Sequence, residues 1–269
     1  MKAFKTKKRI KWNTKCKLCL VPSLLGTAVF FVIPFVRVIY YSLIKSQFKR
    51  DFVWFDNYAT TLQNKYFLLA LKNSLLLIVI AVPILMILAL VISLALSYGI
   101  KWVRKTRFAF VLPMVIPTAS IALIWRGVFG ENTTALPIYL LFIWKNIGIC
   151  IVLLTAAFTS IEQSVFEAAW LDGAGRFVLH TRITIPMIAP TVFFAALLSI
   201  VNSFKIFKES FLYYGTNYPP DHSYTLQYYM NNNFLKLDYQ SLASAAVLTS
   251  ILVFGIVMGG MALQRRYDR

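Results

Sequence analysis

Residues 161–190 read IEQSVFEAAWLDGAGRFVLHTRITIPMIAP and separate two apolar runs without being a plain connector. Ser164 and Glu167 stand at capping-box spacing, which predicts a helix starting at Ser164. Phe166, Ala169 and Trp170 then share one helical face. Asp172-Gly173 ends that helix, because glycine takes the left-handed conformation after a last turn at little cost. A second short helix is expected from Ala174 to about Arg182. Pro186 is expected to open the next long segment, where a missing amide proton costs least. The product is a short helix, a sharp turn and another short helix. The small side chains of Ala168 and Ala169 permit close approach by another protein surface. An amphipathic loop resting on lipid is the alternative reading.

Outward from this stretch the chain is dominated by apolar runs. Of its 269 residues, 59% are apolar and 14% charged, against about 25% charged in ordinary soluble domains. So little charge leaves too few polar groups to cover a soluble surface. The composition excludes disorder, collagen and a disulfide scaffold. A transmembrane helix needs about 20 mostly apolar residues. Runs at 18–36, 73–100, 108–125, 135–160, 183–204 and 239–263 meet that length, the fourth interrupted only by Lys145. The fold class is therefore an all-α membrane protein of six spans with both termini on one side. Residues 1–17 form a basic N-terminal segment, 18–263 the six-span domain and 264–269 a short tail. The first run is read as an uncleaved span, since it is long for a signal-peptide core and no small-x-small site follows.

Basic residues orient the spans. Residues 1–17 carry Lys2, Lys5, Lys7, Lys8, Arg9, Lys11, Lys15 and Lys17; residues 101–107 carry Lys101, Arg104, Lys105 and Arg107; the tail adds Arg265, Arg266 and Arg269. These segments fall on one side of a six-span chain, which places the termini and the 161–186 loop in the cytoplasm. The 37–72 loop, with six basic residues, weakens the contrast without reversing it. The formal net charge of +18 is read as basic loops facing anionic lipid rather than as a nucleic-acid surface. Pro22, Pro34, Pro83, Pro113, Pro117, Pro137 and Pro190 lie within the runs. They fit kinked spans lining a moving pathway, and equally the ordinary tolerance of membrane helices for proline.

Metal and catalytic signals are weak. Cys16 and Cys19 form a lone C-x-x-C, Cys150 is isolated, and His180 and His222 are far apart in sequence; a zinc site needs about four ligands. There is no G-x-x-x-x-G-K-[ST] loop, so no ATP hydrolysis is expected in this chain. A membrane-embedded enzyme would need clustered His, Asp or Glu near the spans, and three of the ten acidic residues sit in the 161–190 stretch.

At Glu167-Ala168-Ala169, Asp172-Gly173-Ala174, Ile183, Pro186 and Pro190 the chain resembles the E-A-A-x-x-D-G-A and I-x-x-P-x-x-x-P loop of permease subunits of bacterial binding-protein-dependent ABC importers. His180 departs from the family, which usually has an aromatic residue there. Phe55 to Tyr58 (F-x-N-Y), Asn73-Ser74, Leu123-Ile124-Trp125-Arg126, Trp144-Lys145, Thr225-Leu226 and Tyr228-Tyr229 resemble the sugar-importer branch. Within it the chain is similar to the first permease of the maltose or glycerol-3-phosphate type, since its tail beyond the last run is short. The 126–134 link is shorter than in relatives, and Leu212-Tyr213-Tyr214-Gly215-Thr216 replaces the family's L-T-x-G-G-P-like stretch.

The resemblance implies the type I ABC importer permease fold. It implies a cytoplasmic coupling helix in the 161–186 loop, seated in a cleft of an ATPase dimer, with ATP and Mg bound by that partner and no cofactor in this chain. Glu167 would bond polar or basic groups of the ATPase, Ala168 and Ala169 would pack in its cleft, and Asp172, Gly173 and Ala174 would form the turn. A residue with a Cβ at 173 is expected to impair coupling. The implied partners are a second permease in a heterodimer, an extracytoplasmic solute-binding protein and a carbohydrate. Polar groups in spans are functional suspects. Asn202, with Lys205 and Phe207 one turn on, is the candidate solute contact, an interhelical hydrogen bond being the alternative for Asn202. Lys145 is read as snorkelling or as lying at an aqueous or subunit interface. A stand-alone secondary transporter and a permease for a peptide or amino acid are the rival functions.

Overall fold

The computed structural model describes residues 14–46, 50–97, 107–130 and 134–267. Most of the basic segment 1–17, together with Lys101, Arg104, Lys105 and Arg269, lies outside them, as do the side chains of Cys16 and Cys19. The described residues form helices and one isolated antiparallel bridge, Ile44 to Phe52. In chain order the helices are α1 (Thr14–Thr27), a π-helical stretch (Ala28–Val32), α2 (Ile33–Ser42), α3 (Asp56–Gln63), α4 (Lys65–Ser97), α5 (Arg107–Val115), α6 (Thr118–Phe129) and α7 (Leu136–Thr159). There follow α8 (Gln163–Leu171), α9 (Arg176–Val178), a second π-helical stretch (Leu179–Thr184), α10 (Ile185–Met187), α11 (Ala189–Ser203), α12 (Phe207–Tyr214), α13 (Leu226–Leu235) and α14 (Tyr239–Tyr267).

Four helices are long and apolar enough to cross a membrane: Leu20–Ser42, Lys65–Ser97, Leu136–Thr159 and Tyr239–Arg265. The runs at 108–125 and 183–204, expected as single spans, are each broken. Ala109–Val115 and Thr118–Phe129 meet at 108°, and Arg176–Met187 and Ala189–Ser203 at 69°. The described residues therefore hold four spans, or up to six if each bent pair is one. Both breaks have a proline cause. Pro117 is extended, with ψ 132°, and its ring disfavours a helical Ile116. Pro190 has no amide proton to offer the Pro186 carbonyl one turn back. Pro186, expected to open the fifth span, instead lies near the end of the helix before the bend, where the π stretch just ahead of it absorbs the missing hydrogen bond. Pro83 leaves α4 unbroken.

The 37–72 stretch is also more ordered than a loop. α4 begins at Lys65, where the Asn64 side chain accepts the Tyr66 amide at 2.9 Å, satisfying a helix-terminal donor.

The core lies between α4 and α7. α4 buries Leu77, Ala81, Leu85 and Ala89 along one stripe and exposes Val79, Ile87 and Val91 on the other, the pattern of a helix with a protein side and a lipid side. α7 answers with Ile151, Leu154 and Phe158. At Gly148 an added Cβ would collide with the Phe110 carbonyl oxygen, so α5 and α7 cross backbone against backbone. Such contacts matter in lipid, which is as apolar as the side chains and gives no solvophobic drive between helices. The Ser93 hydroxyl donates to the Ile151 carbonyl at 3.2 Å, and Cys150 Sγ meets Ser199 Oγ at 3.4 Å, tying α7 to α4 and α11.

Two ends follow from this core. At the N-terminal ends of α4 and α7, Asn73 donates to the carbonyls of Asp221 and Tyr224, the latter at 2.9 Å, and Ser74 Oγ accepts the Leu226 amide at 3.1 Å. These contacts bring the sequence pairs Asn73-Ser74 and Thr225-Leu226 together. At the opposite end, the C-terminal turns of α4 and α7 meet the α8–α10 segment through a shared cavity.

Candidate functional site

The α8–α10 segment is built around its turn. Gly173 has φ +76°, a conformation glycine adopts without the steric cost of a Cβ. The Gly173 amide donates to the Trp170 carbonyl at 3.0 Å and the Ala174 amide to the Ala169 carbonyl at 2.9 Å. This pair of bonds is a Schellman motif, which satisfies carbonyls that a helix end would leave bare. The start of α8 differs from expectation. The helix begins at Gln163 with Glu162 as its cap, and the Ser164–Glu167 capping box does not form. Ser164 instead donates to Glu162 Oε2 at 3.3 Å, and Gln163 Nε2 holds Glu167 Oε1 at 2.9 Å.

Glu167, Ala168, Asp172 and Gly173 are exposed and Ala174 is half-buried. Ala169 is buried within this chain; of the two alanines expected to meet a partner, only Ala168 is at the surface. The segment also exposes large apolar side chains: Leu171 is 89% exposed and Phe177 80%. Such side chains beside acidic ones are unusual on a solvated turn. Phe166, Trp170 and His180 line a cavity of about 410 Å³ with Leu94 and Ser97 of α4 and Phe158 of α7. His180 thus sits between the segment and the span ends.

Within the N-terminal half of α7 a cavity of about 220 Å³ is walled by α5, α7, α11 and α12. Asn202 and Lys205 line it, so two of the three residues expected on the solute path converge there. Phe207 does not. Its ring packs edge-on against Tyr228 at 4.9 Å and beside Phe211 at 5.6 Å, inside an aromatic cluster. Asn202 Nδ2 donates to Asn146 Oδ1 at 3.2 Å, the interhelical bond foreseen as its alternative role, and both amides remain on the cavity wall.

Lys145 forms an ion pair with Glu209 and approaches Thr118 Oγ1 at 3.4 Å. The two side chains are only 21% and 11% exposed, so Lys145 is neutralised inside the fold rather than snorkelling. Glu209 Oε2 is buried without a partner among the described residues. Sequence reasoning missed Glu209 and Asn146. The available signal was Lys145 itself, since a charge within a span demands a counter-charge. Among the described residues no group of three or more His, Cys, Asp or Glu side chains is placed to hold a metal ion.

Residues 87–269 match the family described as "Binding-protein-dependent transport system inner membrane component". The chain belongs to this family and is a multi-pass membrane transport component rather than an enzyme. It is similar to the arabinooligosaccharides transport system permease protein AraP of Bacillus subtilis (strain 168), 26% identical over 89% of this chain and 86% of that protein. It is similar to the sn-glycerol-3-phosphate transport system permease protein UgpA of Yersinia pestis, 27% identical over 90% of each chain. Its fold matches a chain in the crystal structure of a bacterial alginate ABC transporter in complex with alginate pentasaccharide-bound periplasmic protein, with a TM-score of 0.76, 21% identity and 96% of each chain covered.

Proposed function

We propose that this chain is one of two permease subunits of an ATP-driven carbohydrate importer, with both termini and the α8–α10 segment in the cytoplasm. Six spans, counting each bent pair as one, form half of the solute path. A partner ATPase dimer binds ATP and Mg and docks on α8, and a solute-binding protein delivers the sugar to the opposite face. The observation that carries this reading is the exposed α8 turn: Glu167, Ala168 and Asp172 beside the bare apolar side chains of Leu171 and Phe177. An acidic and apolar knob on a Schellman turn suits insertion into a cleft, and its back, through Phe166 and Trp170, shares a cavity with the ends of α4 and α7. Movement of the knob is therefore passed to the core helices. The carbohydrate assignment is supported by the names of the relatives and by the path cavity. There the Lys145–Glu209 pair cancels its own charge and two amides offer hydrogen bonds suited to hydroxyls.

The test is purification of the chain from its native membrane in mild detergent, with co-purifying subunits identified and ATPase activity assayed. Recovery of a second permease and an ATPase, with hydrolysis raised by a sugar-loaded binding protein, is the expected result. A lone chain that moves solute without ATPase activity would make it a stand-alone transporter.

A further inference from the structure

The 37–72 stretch carries six basic residues that the solute path does not use. Two of them, Arg37 and Arg50, line one cavity of about 400 Å³ with Tyr40, Tyr41 and Ile44. Arg37, Tyr40, Tyr41 and Ile44 follow the i, i+3, i+4, i+7 spacing of one helical face. Arg50 comes back to that face from further along the chain. The Ile44–Phe52 bridge reverses the backbone, with the Lys45 amide on the Asp51 carbonyl and the Val53 amide on the Leu43 carbonyl, each at 2.9 Å. Side chains alternate along an extended stretch. Phe52 packs edge-on against Tyr40 at 5.9 Å, and Arg50, two residues earlier, shares its side, whereas Asp51 does not line the cavity. The F-x-N-Y residues fix the base of this turn. Asn57 Nδ2 donates to the Ser42 and Ile44 carbonyls, each at 2.9 Å, and the Ser42 and Tyr58 hydroxyls meet at 2.6 Å. Both arginines are exposed. No acidic side chain lines the cavity, and neither arginine forms an ion pair among the described residues.

We infer that this cavity holds the headgroup phosphate of an anionic phospholipid whose chains lie along α2. Arg37 stands five residues before the end of α2, about 7.5 Å along the axis, a depth from which a long side chain reaches the headgroup layer. Trp54 and Phe55, 66% and 71% exposed, flank the same turn, as aromatic residues do at a membrane–water interface. One turn below Arg37 on the same face, Ile33 is 50% exposed, and the most apolar window of the Leu20–Ser42 helix is 0% buried. Unpaired cations above a bare apolar face are the complement of an anionic headgroup above acyl chains. Guanidinium forks grip phosphate oxygens in pairs, and the tyrosine hydroxyls offer further donors. Two positive charges disfavour a zwitterionic headgroup, which brings a cation of its own. The apolar face below Arg37 favours lipid over the acidic face of a water-soluble protein, which does not reach into the bilayer. On the orientation proposed above the lipid belongs to the outer leaflet; the site does not depend on which solute is carried.

The test is native mass spectrometry of the full chain, delipidated in mild detergent with the subunits that co-purify with it. Phosphatidylglycerol, phosphatidylcholine and inorganic phosphate are the probes. Phosphatidylglycerol is expected to bind in preference to phosphatidylcholine, and millimolar inorganic phosphate is expected not to displace it. Arg37→Gln and Arg50→Gln, both at exposed positions, are each expected to weaken the binding roughly fivefold, and the double variant about 25-fold. Arg37→Lys, which keeps the charge but loses the fork, is expected to fall between. Lys65→Gln removes an exposed charge nearby that does not line the cavity, and is expected to leave binding unchanged. An equal loss in Lys65→Gln would reduce the effect to diffuse surface charge and overturn the site. Equal binding of the two lipids would overturn it as well. Displacement by inorganic phosphate would make it a site for free anions and not for lipid. Lower binding-protein-stimulated ATPase activity in the arginine variants, with lipid binding intact, would make the cavity a protein-docking surface instead. Sugar uptake into vesicles by the unaltered complex, measured in parallel, reports on the importer reading independently.

Discussion

Glu209 carries the heaviest electrostatic consequence of any single residue in the described fold. It is 9% exposed, and its charge is balanced by Lys145 from a different helix. Removing one partner of such a pair strands the other in a poorly solvated place, at about 3–5 kcal/mol, whereas replacing both by apolar residues of similar volume is often neutral. Glu209→Ala is therefore expected to lower the thermal unfolding midpoint of the purified complex strongly, and Lys145→Met with Glu209→Leu to restore most of it. A single variant as stable as the unaltered protein would mean that water reaches Lys145 freely. The pair also marks what a sequence withholds. Lys145 stood out because it interrupts an apolar run. Glu209 follows the fifth run beside Lys205 and Lys208, with nothing in the sequence to mark its partner, and the packing of α12 against α6 and α7 brings it to Lys145. Phe207 misled in the converse way. An aromatic residue near Asn202 in sequence turns into the Tyr228 cluster, because successive positions on a short helix face different directions.

At the scale of elements, the apolar runs were legible because a span needs only length and composition. The bends were not, because a run of constant hydropathy reads the same whether straight or broken. Eight prolines lie in the runs, yet the sharp bends fall at Pro117 and just before Pro190 while Pro83 leaves its helix intact. Which prolines bend a helix depends on the neighbours that re-satisfy the freed carbonyls. The α8 turn was legible because Asp172-Gly173 carries its own stereochemistry. Nothing lies within 4 Å of a Cβ built on Gly173, so any penalty there is conformational and not crowding. Gly173→Val places a β-branched residue at φ +76°, where an L-residue pays about 1–2 kcal/mol. Gly173→Asn visits that region more readily. Binding-protein-stimulated ATPase activity is expected to fall roughly tenfold in the valine variant and far less in the asparagine variant, with basal hydrolysis unchanged in both. Equal activity of the two would detach the turn's geometry from coupling.

On the scale of the whole molecule, burial is distributed unevenly among the spans. The most apolar windows of Lys65–Ser97 and Leu136–Thr159 are 33% and 44% buried, whereas those of Leu20–Ser42 and Tyr239–Arg265 are 0% and 6% buried. The chain is thus a two-helix core carrying outer spans whose apolar surface must be covered by lipid or by a partner. Trp54 and Phe55 are 66% and 71% exposed near the bridge that follows α2, and Tyr66 opens α4 at the same end. Aromatic residues gather at the membrane–water interface, so that end is expected at one face of the bilayer and the α8 knob at the other. On the orientation proposed above, the knob lies in the cytoplasm. In a variant with Cys16, Cys19 and Cys150 replaced by Ser, single cysteines at Tyr218 and at Leu171 probe opposite ends. A membrane-impermeant maleimide added to intact cells, with the outer membrane permeabilised where one exists, is expected to label position 218 readily. Position 171 should be labelled only after the inner membrane is opened. Labelling of 171 in sealed cells with protection of 218 would invert the topology and remove α8 from the side on which the proposed ATPase docks.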